Sequence, residues 1–245
     1  MADKISKPLY KGEVIMDFYP NSHQYRVNGD RVPSVTGICG IVDKSNQLIS
    51  WAVKLYKEYL LSYDQVDTII IEEWAKRRRE VSKEATDIGT MVHDYCESFA
   101  CGIDMPMPDV PQALNGIQAF LQRYKANEVK FLHTERLVYS RNYNYCGKFD
   151  ALIEWGGRKC LVDFKTSKWF YPLEMGMQLA AYRAAYEEEM GEAIDAQYIL
   201  RFDKETGDFE IHECAEYEKD LEAFRAALVL TKRKKETDKF SRDLI

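Results

Sequence analysis

The feature that most constrains the fold is a pair of predicted β-strands on either side of Gly156-Gly157. Residues 145–155 and 159–165 are rich in β-branched and aromatic side chains, which favour β-strands. Gly-Gly is a preferred two-residue hairpin loop, and a loop of this length fixes the register of the strands that it joins. In that register Asp150 faces Asp163. The sequence therefore predicts an antiparallel hairpin with two carboxylates directly opposite each other.

Alternation of side chains across a strand gives this hairpin one polar and one apolar face. We expect Asp150, Asp163 and Lys165 to share the polar face. The apolar face would be formed by Phe149, Ala151, Ile153, Cys160, Val162 and Phe164. Like charges on directly opposite residues destabilise a strand pair, so the two carboxylates need a compensating charge.

A hard divalent cation can supply that charge, because Mg²⁺ binds through one or two carboxylates. Bound there, it would polarise a phosphate and lower the pKa of a coordinated water. Lys165 would then orient the nucleophile and offset charge on the phosphoryl oxygens. Two alternatives stay open on the residues alone. The aspartates could be ordinary partners of Lys148 and Lys165, and a loop of three or four residues would shift the register.

The rest of the chain predicts an α/β fold with a mixed central sheet flanked by helices and a helical N-terminal insertion. No linker rich in Pro, Gly or Ser divides the sequence, so we expect one domain over residues 1–245. Residues 1–127 would hold a hairpin at Asn28-Gly29 and the helices, and residues 128–245 the sheet and a last helix. Beyond the hairpin, the predicted elements are helices in 47–101, 111–127, 172–190 and 217–235 and strands at 130–139, 196–202 and 208–212.

The charge of the chain is acidic overall, with local basic clusters. A net charge of −6 and a pI near 5.4 argue against a protein that coats nucleic acid by bulk electrostatics. The clusters 76–79 and 232–235 consist entirely of Lys and Arg. Each could contact phosphates or be a solvated helix face.

Cysteine usage and hydropathy predict the compartment. The six cysteines include no CxxC pair, so we expect free thiols and no iron–sulfur cluster. No apolar run approaches the roughly 18 residues of a membrane span, and the first residues do not lead into a signal-peptide core. We therefore expect a cytoplasmic protein that does not contact membranes.

Four segments resemble, in order, the motifs of the RecB-type PD-(D/E)XK nucleases. Gly89-Thr90-Met91-Val92-His93 resembles the GTxxH helix of that group. The two strand motifs of the group have their counterparts in Gly147–Asp150 and Val162–Ser167. Gln178–Tyr182 resembles the helix that follows. The earlier segment Val32–Thr36 is similar to the start of phage and mitochondrial genome-maintenance exonucleases in this group. Together these motifs are far more specific than any one of them.

The resemblance implies a restriction-endonuclease-like core and a metal site. Its ligands would be Asp150, Asp163, His93 and the main-chain carbonyl of Phe164, with Lys165 catalytic. One or two Mg²⁺ or Mn²⁺ ions would bind. The literal Pro-Asp form of the first motif is absent, because Phe149 precedes Asp150.

Further residues would support the site or contact DNA. Glu97 lies four residues after His93 and so on the same helical face, where it could accept a hydrogen bond from the ring, bind a second metal through water, or be solvated. Glu135 resembles a glutamate that often precedes the first metal aspartate. The remaining candidates are Thr166, Ser167, Gln178, Tyr182, Arg77 and Arg78.

The implied activity is metal-dependent hydrolysis of phosphodiester bonds in DNA, by an exonuclease acting on single strands or ends. The alternatives are a non-catalytic nucleic-acid-binding or recombination-accessory protein on the same scaffold, a structure-specific endonuclease, and an RNA-processing nuclease. The implied setting is a bacterial or phage-infected cell, with a recombination or replication protein as a further partner.

Overall fold

The N-terminal part of the chain forms an antiparallel sheet of four strands. The computed structural model of the protein describes residues 4–63, 68–126, 129–167, 170–203 and 206–242. The strands lie in chain order, β1 (Ile5–Leu9), β2 (Val14–Tyr19), β3 (Gln24–Val27) and β4 (Asp30–Val32). The predicted hairpin at Asn28-Gly29 joins β3 to β4, and both residues have a positive φ, 50° and 93°, as a two-residue hairpin turn requires. The sequence missed β1 and β2.

Four helices follow this sheet, and the first is attached directly to the rest of the fold. They are α1 (Val35–Cys39), α2 (Ser45–Leu61), α3 (Thr68–Ala100) and α4 (Pro111–Ala126). The Oγ of Ser34 accepts a hydrogen bond from the Gly37 N–H at 3.1 Å, which caps α1. The carbonyl of Pro33 accepts the N–H of Cys146 at 3.0 Å. The segment 32–36 is therefore fastened to the central sheet.

The central sheet has five strands of mixed direction, as predicted. Its order is β5 (Lys130–Ser140), β6 (Tyr145–Trp155), β7 (Arg158–Lys165), β8 (Ala196–Phe202) and β9 (Phe209–Glu213). Strands β7 and β8 are parallel and are connected by α5 (Pro172–Met190), whereas the other neighbours are antiparallel. The last helix, α6 (Tyr217–Arg242), follows β9.

Helices cover both faces of this sheet. Helices α1, α5 and α6 share one apolar core with it, and α3 and α4 share the other. The N-terminal sheet packs beside β5 and β6 through a third cluster that includes Leu137 and Cys146. The six cysteines are all free thiols. Within the described ranges, none of the helices is both long and apolar enough to span a bilayer.

The hairpin register is the one that Gly156-Gly157 predicts. Both glycines have a positive φ, and the pairs run from Trp155–Arg158 to Ala151–Val162. The expectation that Phe149 lies on the apolar face with Ala151 is wrong. Phe149 packs against Tyr182 and Tyr186 of α5, whereas Ala151 belongs to the core beneath α3 and α4.

The change of face coincides with a gap in the pairing of β6 at Asp150. The pairing of β5 with β6 steps from Thr134–Ala151 to Arg136–Phe149 and passes over Asp150. Glu135, at the same step of β5, has a left-handed φ of 46°, which is uncommon for a residue other than glycine. The regular alternation of side chains therefore ends between Phe149 and Ala151.

Candidate functional site

A large cleft lies where the central sheet, α3 and the N-terminal sheet meet. Its volume is about 1420 Å³, which exceeds the roughly 300 to 1000 Å³ of a small-molecule pocket. Strands β6 and β7, helix α5 and the segment that follows Lys165 contribute to its walls. Of the predicted site residues, those that line it are His93, Glu97, Glu135, Asp150, Asp163, Lys165, Thr166, Ser167, Gln178 and Tyr182.

Asp150 is held by the neighbouring strand. Its Oδ2 accepts a hydrogen bond from the main-chain N–H of Phe164 at 2.7 Å. The ladder between β6 and β7 ends one pair earlier, at Ala151–Val162. The Asp150 carboxylate therefore occupies the end of the ladder and does not form the directly opposed pair that simple register predicts.

Asp163 is a buried carboxylate beside a second negative charge. Its side chain is 2% exposed. Burial raises the pKa of Asp163 to about 6, the cation of Lys165 opposes this shift, and the Asp150 charge adds to it. Oδ2 of Asp163 is buried and has no hydrogen-bond donor of good geometry among the described residues.

Lys165 forms an ion pair with that same Asp163 oxygen. Burial alone lowers the pKa of the Lys165 ammonium, but the Asp163 and Asp150 carboxylates overcome this effect and raise the pKa above its usual value. The lysine is therefore protonated at neutral pH. Asp163 and Lys165 form one charge-balanced unit at the end of β7.

His93 approaches the carboxylates from α3. Its Nδ1 lies 3.6 Å from Oδ2 of Asp150, and its ring stands edge-on to Phe164 with centroids 6.1 Å apart. Among the residues that the structure describes, no group of three or more His, Cys, Asp and Glu side chains is close enough together to hold a metal ion. The donor chemistry nevertheless fits a hard divalent cation, because the carboxylates of Asp150 and Asp163 and the imidazole of His93 line the same cleft.

Gln178 of α5 orients Asp163. Its Nε2 donates a hydrogen bond to Oδ1 of Asp163 at 3.0 Å and lies 3.4 Å from the hydroxyl of Tyr182. Residues four apart share a helical face, which explains why Gln178 and Tyr182 reach the same place. The two carboxylate oxygens of Asp163 thus contact different neighbours, Oδ1 contacting Gln178 and Oδ2 contacting Lys165.

Two glycines of the motifs are points of close contact. A Cβ on Gly147 would lie 2.4 Å from Cε1 of Tyr182, and one on Gly89 would lie 3.0 Å from Oγ1 of Thr166. The ring of Tyr182 therefore crosses the strand that leads to Asp150. Helix α3 likewise approaches the segment after Lys165 at Gly89, which brings His93 to the site.

Glu135 and Glu97 occupy different positions in the cleft. Glu135 forms an ion pair with Lys148, so its partner is a lysine outside the group formed by Asp150, Asp163 and Lys165. Glu97 lines the wall one turn beyond His93. Within the described part of the chain, neither forms a hydrogen bond or ion pair with Asp150 or Asp163.

Arg77 and Arg78 are exposed on α3 and lie outside the cleft itself. Nη1 of Arg77 lies 3.8 Å from Oε2 of Glu80. The residues of α3 that line the cleft come as adjacent pairs, and the pairs are four residues apart. The first pair is Val81 and Ser82. Arg77 and Arg78 lie one turn before that first pair and extend the row toward solvent. The second basic cluster, 232–235, lies exposed on α6.

Sequence reasoning missed part of the cleft wall. Phe18, His23 and Tyr25 from the N-terminal sheet line it, as do Trp51 of α2 and Lys148 of β6. Local patterns do not reveal that β2 and β3 lie beside β6. The available signal was Val32–Thr36, whose attachment to β6 brings the preceding sheet to this place.

No family model and no curated protein sequence matches the chain. The chain has limited similarity to solved structures. One is an alkaline exonuclease, LHK-Exo, from Laribacter hongkongensis, with 10% identity over 86% of this chain and 94% of that one, and a TM-score of 0.36. Another is a protein named SSO0001, with 15% identity over 75% of this chain and 86% of that one, and a TM-score of 0.29. Neither likeness is close enough to bear on function.

Proposed function

We propose that the protein is a Mg²⁺- or Mn²⁺-dependent nuclease of the PD-(D/E)XK type that hydrolyses phosphodiester bonds in DNA. One observation carries this proposal. The buried carboxylate of Asp163 contacts Lys165 and Gln178 at the base of an open cleft, with Asp150 and His93 beside it. The four sequence segments of the resemblance thus supply side chains to one place.

The proposed ligands of one or two metal ions are Asp150, Asp163, His93 and the carbonyl of Phe164. A metal bound there supplies Lewis-acid polarisation of the phosphate and a coordinated water of lowered pKa. The remaining work falls to the protein. The N–H of Phe164 fixes Asp150, and Gln178 fixes Asp163. The Lys165 ammonium stabilises negative charge that develops on the phosphoryl oxygens.

The cleft supports a polymeric substrate over a small molecule, because its volume exceeds that of a typical ligand pocket. We propose single-stranded DNA or DNA ends as the substrate and exonucleolytic removal of nucleotides as the mode. The proposed setting is recombination or replication in the cytoplasm of a bacterial or phage-infected cell, with a protein partner of that machinery.

A non-catalytic nucleic-acid-binding role is the alternative. The contact between Lys165 and Asp163 argues against it. A protein that only binds nucleic acid gains nothing from burying a carboxylate with a raised pKa, since such burial costs stability.

The test is cleavage of end-labelled linear and circular single-stranded DNA by the purified protein with Mg²⁺ or Mn²⁺. We expect linear strands to be shortened from an end and circles to resist. Lys165→Ala should lower kcat by roughly 10²- to 10³-fold, and Asp163→Ala should abolish turnover. Asp87→Ala, an exposed position on α3 outside the cleft, serves as the matched control. A folded protein that cleaves neither substrate with either metal contradicts the proposal.

A further inference from the structure

The N-terminal sheet forms a wall of the cleft that the proposed metal site leaves unused. Strands β2 and β3 and the turn between them contribute Phe18, Pro20, His23 and Tyr25 to the same cleft as Asp150. A wall of rings beside a phosphodiester-cleaving centre is suited to unpaired bases, because every base offers a π-face to an aromatic side chain.

The aromatic rings of this wall range from buried to exposed. Phe18 and Tyr25 are stacked with centroids 4.7 Å apart, and they are only 3% and 4% exposed. The ring of His23 stands edge-on to Phe18 at 5.6 Å and is exposed. His23 ends a short 3₁₀ turn in a left-handed conformation with φ of 48°. Its imidazole therefore lies at the cleft against a pair of buried rings.

A lysine lies between these rings and the aspartates. Lys148 is two residues before Asp150 on β6, about 7 Å away along a strand. Its Nζ is 5.7 Å from the centroid of Phe18 and forms an ion pair with Glu135. The Lys148 side chain is 31% exposed, so a phosphate can reach it without unfolding the wall.

The other charges of the cleft make the position of Lys148 decisive for the path of a bound nucleic-acid strand. Among the described residues that line the cleft, six are carboxylates, Asp94, Glu97, Glu135, Asp150, Asp163 and Asp203, and the lysine and arginine side chains are Lys148 and Lys165 alone. Lys165 belongs to the cleavage site. A phosphate next to the scissile one therefore meets a cation within the cleft at Lys148, on the side of the N-terminal sheet.

We propose that Lys148 and His23 form a nucleotide subsite next to the cleavage site. Lys148 pairs with a phosphate of single-stranded nucleic acid, and His23 stacks on the base of the adjoining nucleotide. This inference rests on the proposed function and specifies its substrate. A base within a duplex is stacked on its neighbours and is not free to lie on His23, so the subsite selects an unpaired strand.

The subsite is tested by His23→Ala and Lys148→Gln, with Lys7→Gln as the matched lysine control on an exposed position of β1 outside the cleft. Steady-state cleavage of a labelled single strand should show KM raised about tenfold in His23→Ala, the size of a lost stacking contact, with a smaller change in kcat. His23→Phe should restore most of the lost affinity.

Binding without turnover gives a second readout, by fluorescence anisotropy of a labelled oligonucleotide in EDTA. Lys148→Gln should reduce the slope of log K against log salt by about 0.7, as the loss of one phosphate contact on a single strand predicts, and Lys7→Gln should leave it unchanged. If the wild type cleaves and binds but both variants match it in KM and salt slope, the subsite is wrong and the proposed function stands. If the wild type cleaves nothing while both variants weaken binding, the subsite stands and the proposed catalysis fails. If the wild type neither cleaves nor binds, both fail.

Discussion

The side-chain amide of Gln178 donates a hydrogen bond to Oδ1 of Asp163 at 3.0 Å. Asp163 is the buried carboxylate whose pKa is raised to about 6. A donor to the ionised form favours that form, so the hydrogen bond of Gln178 keeps the pKa from rising further.

Gln178→Leu should move the acidic limb of the pH–rate profile upward by about one unit, since a hydrogen bond to a charged group contributes about 1.5 to 3 kcal/mol and one unit corresponds to 1.36 kcal/mol. The proposed activity requires ionised Asp163, so it should fall as pH drops through the pKa of Asp163, and a higher pKa should make it fall at higher pH. Gln197, another buried amide, donates to the carbonyl of Cys214 and does not line the cleft. Gln197→Leu should lower stability and leave the limb in place. An unshifted limb in Gln178→Leu contradicts the role of Gln178.

Gly147→Ala should destabilise the fold by about 1 to 3 kcal/mol, because the new Cβ would lie 2.4 Å from the buried ring of Tyr182. Thermal or urea denaturation measures the loss. Gly40→Ala is the control, since a Cβ there meets backbone atoms at 3.4 Å and beyond. The double variant Gly147→Ala/Tyr182→Leu should be less destabilised than the sum of the two single variants. Additive losses would show that the ring is not the cause.

Added Mn²⁺ should stabilise the protein against heat, and EDTA should reverse the effect. Ion at 100 times its Kd adds about 2.7 kcal/mol to the free energy of unfolding. Asp150→Asn should remove most of that gain, and His93→Ala should reduce it, because each loses one proposed ligand. Asp87→Asn, at an exposed position outside the cleft, should keep the full gain. Equal gains in all four proteins would exclude these ligands.

Arg77→Gln and Arg78→Gln should each weaken binding of a labelled single strand and lower the salt slope by about 0.7. Their row on α3 leads into the cleft one turn further on. Arg79 belongs to the same basic cluster but lies on another side of the helix, outside that row. Arg79→Gln is therefore the matched control, and equal effects of all three variants would indicate unspecific attraction.

The sequence predicts the hairpin well because a two-residue loop leaves one register. The pairing from Trp155–Arg158 to Ala151–Val162 follows from Gly156-Gly157 alone. The same alternation fails for Phe149, since it assumes a regular strand and the strand is interrupted at Asp150. An interruption of this kind depends on the pairing of β5 as well as on the residues of β6.

The helix and strand positions of the central sheet were also predictable, as the bounds of α5 and β8 match the expected segments. Of the N-terminal sheet, only the hairpin of β3 and β4 was predicted. Strand β1 contains Pro8, which weakens a strand pattern. The placement of His23 and Lys148 in one cleft depends on packing between distant segments, which local periodicity does not encode.

The close contacts of the motif glycines have a consequence for sequence comparison. Gly147 touches Tyr182, and Gly89 touches Thr166, across elements that are distant in the chain. Each glycine therefore forms a pair with the residue that it contacts. A larger side chain in place of the glycine requires a smaller one at the partner position. Among homologous sequences, a side chain at position 147 should covary with a smaller residue at position 182, while Asp163 and Lys165 can stay unchanged.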